Sequence, residues 1–201
     1  MFGSLTEFLK TLALLRHPEV RSALGELRFR RQLVDAVRTR HVGAKVADTV
    51  HLVGYEPARL ALDPGSSVGL GTILAFGDET SGFGRITVGA GTWIGEYNNL
   101  RACGGGDIVV GAHCLISQFC TLIASNHAKA RGRLVVEQGA DLRRLGITLR
   151  DDVWLGAGVT VLPGVCLGQG CVIGANSVVN CSVPDYEIWA GSPAQRVGAR
   201  E

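Results

Sequence analysis

The sequence has no run of apolar residues approaching the ~18 that a membrane-spanning helix needs. Its six cysteines (Cys103, Cys114, Cys120, Cys166, Cys171, Cys181) form neither a CxxC pair nor a Cys-His zinc spacing, which argues against the metal and redox motifs built on them. Charge is also scarce: 19% of the 201 residues are Asp, Glu, Lys or Arg, against a usual ~25%. A net charge of +2 leaves no general polyanion-binding field, so no nucleic-acid partner is expected. The N-terminal string MFGSLTEFLK has an early Glu and lacks both a basic stretch and an uninterrupted apolar core, so it does not read as a secretory leader. Unpaired thiols fit a reducing, cytoplasmic compartment.

Glycine is what the chain has in excess, 28 residues or about twice the ~7% of an average domain, beside 46% hydrophobic residues. The glycines follow no three-residue period, which excludes collagen, and the apolar content excludes disorder. So many positions without a side chain also exclude a plain helix bundle.

A period of six organises the chain. From Leu149 an aliphatic residue returns at Leu155, Val161, Leu167, Ile173 and Val179; upstream the spacing appears as Leu62, Val68, Leu74, then Val88, Ile94, Leu100, then Val110, Ile116, Leu122. Neither a 3.6-residue helix nor a two-residue alternation produces that spacing. The second hexad position is Gly at Gly69, Gly89, Gly95, Gly111, Gly156, Gly168 and Gly174, read as corners that need a residue without Cβ. The fifth is small or medium, from Ser66, Thr72, Thr92 and Asn98 to Val153, Val159, Val165 and Ser177. Cys114, Cys120 and Cys171 share that position and read as core filler.

A short strand and a turn every six residues make one side of a prism, and three sides close a coil of about eighteen residues. The expected fold is therefore an all-β parallel β-helix of about five triangular coils. The frame slips after Leu74, Leu100 and Leu122 each follow three hexads, so the inserted segments should leave the prism at one shared corner. Three segments result: a helical piece over residues 1–45, a β-helix over 46–183 carrying an inserted loop at 126–146, and a tail over 184–201 after Pro184, Gly191 and Pro193 stop the hexads.

The first segment reads as two amphipathic helices, Phe2, Leu5, Phe8, Leu9, Leu12 and Leu15 marking one and Val20, Leu24, Leu27, Val34 and Val37 the other. Residues 1–45 hold nine Lys/Arg against four Asp/Glu. Arg28, Arg30, Arg31, Arg38 and Arg40 make the second helix basic. A cap over the first coil or an oligomer contact is the expected role, with peripheral contact to an anionic membrane surface as the alternative.

The longest slip, IASNHAKARGRLVVEQGADLRRLG, brings Lys129, Arg131, Arg133, Arg143 and Arg144 near His127 at its root. An insertion of that length in a regular solenoid reads as functional. His127 occupies the sixth, outward hexad position from Leu122, and imidazole is the side chain suited to take a proton near neutral pH. His17, His41, His51 and His113 have no acidic or nucleophilic partner in view and read as surface residues.

The strings VGAHCLISQFCTLIASNH and ITLRDDVWLGAGVTVLPGVCLGQGCVIGANSVVNCSVPDYEIWAGSPAQRVG resemble the hexapeptide-repeat acyltransferases. They are most similar to the maltose/galactoside O-acetyltransferase-like group and its relatives that acetylate polysaccharide sugars. The resemblance covers roughly residues 60 to 200 and leaves the first 45 unexplained. It implies a left-handed coil, a homotrimer, and acetyl-CoA lying in a cleft between neighbouring prisms as co-substrate, with no metal. It also implies His127 as general base toward a sugar hydroxyl of a surface polysaccharide or glycolipid precursor. Trp154 would border the cofactor, and Ala157 and Ala175 would present backbone groups to the pantetheine arm. Where relatives carry Thr-Lys before the VP turn this chain has Asn180-Cys181, so the phosphates fall to Asn180, Arg196, Arg200 or the loop arginines.

Asn99 and Arg101, in GEYNNLRA, are the acceptor-binding candidates. Asn99 is expected on side two of its coil and His127 after side three of the next, so the two should meet only across a subunit interface. The alternatives are an N-acetyltransferase acting on an amino sugar, a non-catalytic sugar-binding β-helix, and a γ-type carbonic anhydrase, for which His113 and His127 lack a third partner in register.

Overall fold

The computed structural model describes residues 14–15 and 17–201. The expected first helix around Phe2, Leu5, Phe8, Leu9 and Leu12 therefore lies outside the described residues. The second forms as α1 (Pro18–Arg40), started by a proline whose missing N–H costs nothing at a helix N-terminus. Val34 and Val37 are its buried residues, seated on the first coil. Arg38 ties the helix to that coil by donating to the Val46 carbonyl (Nε at 2.9 Å) and pairing with Asp48 at 2.7 Å. This is the capping role. Two of the five basic residues are thereby engaged, since Arg30 pairs with Glu26. Among the described residues no helix is long and apolar enough to cross a membrane.

Six turns follow. The first holds β1 (Lys45–Val46), β2 (His51–Val53) and β3 (Leu60–Leu62); the second, β4 (Ser67–Val68), β5 (Ile73–Ala75) and β6 (Ile86–Val88). The third holds β7 (Trp93–Ile94), β8 (Asn99–Arg101) and β9 (Ile108–Val110); the fourth, β10 (Leu115–Ile116), β11 (Thr121–Ile123) and β12 (Ile147–Leu149). The fifth holds β13 (Trp154–Leu155), β14 (Thr160–Val161) and β15 (Val165–Leu167); the sixth holds β16 (Val172–Ile173) and β17 (Val178–Val179), with Val183 bridging Leu167. Corresponding strands stack in parallel into three faces, a first face from β1 to β16, a second from β2 to β17 and a third from β3 to β15.

The coil count is six, one more than the sequence reading gave. The additional pieces are β1 and β2, which precede the earliest clean aliphatic hexad at Leu62, and the short close at Val183. The tail also differs from a simple stop: β18 (Glu187–Gly191) continues the first face beside β16, and β19 (Ala194–Ala199) folds back antiparallel on it.

The hexad positions behave as the period requires. Leu74, Ile94, Leu100, Ile116, Leu122, Leu155 and Ile173 are all at most 1% exposed, each worth about 1.5–3 kcal/mol of burial. The fifth-position residues are buried as well, and their polar groups are satisfied between coils. Thr72 Oγ1 donates to the Gly95 carbonyl at 3.0 Å, and Asn98 Oδ1 accepts from the Cys120 N–H at 2.7 Å.

The second-position glycines serve close approach rather than a corner conformation. A Cβ on Gly89 would lie 2.5 Å from the Gly111 carbonyl carbon, in the backbone of the next coil. The left-handed corner falls two residues later, at Gly91 with φ +68° and, in the equivalent place, at Tyr97 with φ 55° and Asn176 with φ 57°.

Burial pushes the thiols of Cys114 and Cys120 up, and that of Cys171 up to about 12. A thiolate is the reactive form, so these three are inert filler in the folded protein. Alkylation at mildly alkaline pH should modify the exposed Cys181 first and reach Cys114, Cys120 and Cys171 only in denaturant. Peptide mass spectrometry over a time course checks this, and labelling of native Cys171 ahead of Cys181 would contradict the packing.

Candidate active site

All the long insertions leave between the second face and the third: residues 76–85 join β5 to β6, 102–107 join β8 to β9, and 124–146 join β11 to β12. They stack on one another as the coils do. Gly104 donates its N–H to the Gly82 carbonyl at 3.0 Å, and Phe83 bridges Cys103. Glycine makes this stacking possible: a Cβ on Gly106 would stand 2.1 Å from the Ala124 carbonyl oxygen and 2.9 Å from the Gly146 nitrogen.

The loop at 126–146 is an ordered arm rather than a structureless one. Its two ends close over Gly106, where Gly146 N–H donates to the Ala124 carbonyl at 2.8 Å. His127 forms a bridge with Ala140, flanked by Asp141 N–H to the Asn126 carbonyl (2.7 Å) and Ala128 N–H to the Gly139 carbonyl (2.9 Å). Further out Gln138 holds both the N–H and carbonyl of Ala130, across a short 3-10 turn at Val135–Glu137.

Between this arm and the two shorter insertions lies a cleft of roughly 510 Å³, lined by Asp78, Ser81, Arg101, Cys103, Ser125 and His127 among others. That size is within the ~300–1,000 Å³ of small-molecule sites. His127 is exposed there, and its imidazole has no hydrogen-bond partner among the described residues. Asp78 Oδ1 accepts from Thr80 N–H (2.9 Å), Ser81 N–H (2.6 Å) and Ser81 Oγ (2.9 Å), contacts with Ser81 that hold the carboxyl below its ordinary range. Burial raises the Cys103 thiol, which disfavours it as a nucleophile beside His127.

Arg101 and His127 thus share a cleft within one chain, and the expectation that Asn99 and His127 follow different sides of their coils is corrected. The reason is face assignment: β8 and β11 are neighbours on the second face, with Arg101 opposite Ile123, four residues before His127. Asn99 lies on the same face opposite Thr121, its Oδ1 buried without a partner among the described residues.

Most of the residues singled out for the acyl donor lie elsewhere. Trp154, 50% exposed, stands on the outside of the first face beside Leu115, 48% exposed. Ala157 and Ala175 stack at the corner between the first and second faces, where Asn176 N–H donates to the Ala157 carbonyl at 2.8 Å. Asn180 follows β17 on the edge that carries the loops, its carbonyl accepting from Arg144 at 2.7 Å. Arg196 pairs with Glu187 in the terminal hairpin, and Arg200 pairs with Asp152. His113 precedes β10 at the corner between the third and first faces, away from His127. Among the described residues no three His, Cys, Asp or Glu side chains gather as a metal cluster.

Sequence reasoning missed Asp78, Ser81, Cys103 and Ser125. The signal available was the first frame slip, whose string GDETSGFG stacks on the same edge as the basic loop.

Residues 146–181 match the family model described as bacterial transferase hexapeptide (six repeats). The chain is 34% identical over 110 residues to a protein named as the colanic acid biosynthesis acetyltransferase WcaF of Escherichia coli, covering 55% of this chain and 56% of that one. It is 36% identical over 117 residues to a galactoside O-acetyltransferase of Lactococcus lactis, covering 55% and 52%. The chain therefore spans about half the length of these curated relatives. A solved structure of AntD, an N-acyltransferase from Bacillus cereus in complex with dTDP and 3-hydroxybutyryl-CoA, superposes with a TM-score of 0.65 at 21% identity, covering 80% of this chain and 82% of that one. That likeness is one of fold.

Proposed function

We propose, from the hexapeptide-repeat architecture and the cleft around His127, that this protein transfers an acetyl group from acetyl-CoA to a sugar hydroxyl. The observation that carries the reading is the placement of His127. An exposed imidazole on a rigid solenoid edge opens into a cleft of substrate size, with Arg101 beside it.

The steps balance without a covalent enzyme intermediate. A hydroxyl of the bound acceptor gives its proton to His127 as its oxygen attacks the thioester carbonyl. Collapse of the tetrahedral intermediate breaks the carbon–sulfur bond, and the imidazolium returns the proton to the departing CoA thiol. Asn99 and Arg101 on the second face hold the acceptor. Trp154, Ala157 and Ala175 face a different corner, so in this reading the acyl donor runs along the first face of one copy toward His127 of the next, as a closed trimer permits. The apolar pair Leu115 and Trp154 exposed on that face supports a subunit contact.

The test is direct. Purified protein with acetyl-CoA and a panel of neutral, acidic and amino sugars should release free thiol with at least one hydroxyl acceptor, the product carrying an O-acetyl group by mass spectrometry and NMR. Transfer only to amino sugars would turn the reading to N-acetylation, and thiol release with none of them would remove it.

A further inference from the structure

We infer that the acceptor is an acidic sugar whose carboxylate is held by Arg101; this rests on the acetyltransferase reading of the same cleft. Most of the other arginines around the loop-bearing edge are engaged elsewhere, and Arg85 and Arg131, which are not, do not line the cleft. Arg59 pairs with Glu56 at 2.8 Å and lies 4.0 Å over the Phe83 ring. Arg143 grips Asp141 through two bonds at 2.8 and 2.7 Å, holding that carboxyl down to about 2. Arg144 donates to the Asn180 carbonyl, and Arg133 to the Glu137 carbonyl at 3.2 Å. Arg101, exposed on the cleft wall, has neither ion pair nor hydrogen bond among the described residues.

Asp78, the carboxylate that lines the same cleft, does not fill that role. Its Oδ1 is committed to three donors of its own turn, which fixes the group to the 76–85 insertion. An unpaired guanidinium costs solvation when a ligand covers it, unless the ligand brings an oxyanion. The planar fork of five donors matches two carboxylate oxygens side by side, and a charge-assisted pair of that kind is short and directional. Arg101 stands on β8, next to the strand that leads into His127, so a carboxylate anchored there sets which hydroxyl of the ring reaches the imidazole. The acyl donor's phosphates are a poor alternative occupant, because the donor must bring its thioester, not its phosphates, to His127.

The experiment uses the full-length protein with methyl glucuronide, methyl glucoside and glucose 1-phosphate. In the absence of CoA, titration calorimetry should give at least tenfold tighter binding of the glucuronide than of the glucoside, with added salt weakening the difference. Arg101→Gln should collapse that ratio to near unity, whereas Arg85→Gln, an equal loss of charge outside the cleft, should keep it. With acetyl-CoA, the wild-type preference should appear in KM for the glucuronide. Equal binding of the two glycosides by the wild type, or a ratio that survives Arg101→Gln, overturns the inference, as does a preference for the phosphate over the glucuronide. Selective binding without acetyl transfer would leave the carboxylate site standing and remove the transferase reading instead.

Discussion

His127→Ala is expected to slow acetyl transfer by about 10²–10⁴-fold, the usual worth of a positioned general base. The melting temperature should stay within a degree or two of wild type, because the imidazole is exposed and bonds to no described residue. That combination separates chemistry from folding. Saturation with acetyl-CoA should reveal the loss in kcat rather than in KM for the donor, since the donor's proposed contacts lie on other residues. Transfer at an undiminished rate would end the general-base proposal, and a large fall in melting temperature would show that His127 holds the arm instead.

Gly106→Ala is the second large effect, and it runs through packing. Its Cβ would fall 2.1 Å from the Ala124 carbonyl oxygen and 2.9 Å from the Gly146 nitrogen, both backbone atoms with no rotamer to yield. Those atoms make the hydrogen bond that closes the neck of the 126–146 arm. Overpacking a close contact costs about 1–3 kcal/mol, so the denaturation midpoint should fall, and catalysis should fall with it as His127 is displaced. Gly25→Ala is the control, a helix position where a Cβ meets nothing within 4 Å; there alanine should raise stability by about 0.5–1 kcal/mol. Urea titration of both variants, read beside activity, checks the pair. A neutral Gly106→Ala would mean that the neck opens without cost.

Much of the architecture was legible because hexads encode it locally. Leu100 and Leu122 announce an inward position by their own spacing, and Asn98 and Cys120 announce the space-limited one, whatever the neighbouring coil does. The site was legible in part. His127 could be singled out at the root of the longest insertion, and Arg101 in GEYNNLRA, but their meeting could not. Their relation depends on which face each strand joins, and the hexad count, as applied to Asn99, put that strand and His127 at different corners. Asp78 and Ser81 were invisible for the same reason: they sit some fifty residues upstream of His127, and only the stacking of Gly82 on Gly104 brings their insertion to the cleft. The second-position glycines were found by pattern and misread in cause, since a period shows where a Cβ is forbidden without showing what it would strike.

By itself, then, the sequence determined the repeat, the inward residues and the single edge that carries the insertions. These follow from side-chain volume and period, properties each hexad carries alone. The tertiary structure decided the sixth turn, the terminal hairpin and the cleft that joins Arg101, Asp78 and His127. Those arise from register between coils, and register is a sum over every residue inserted between two strands, fixed only when backbone meets backbone across the stack.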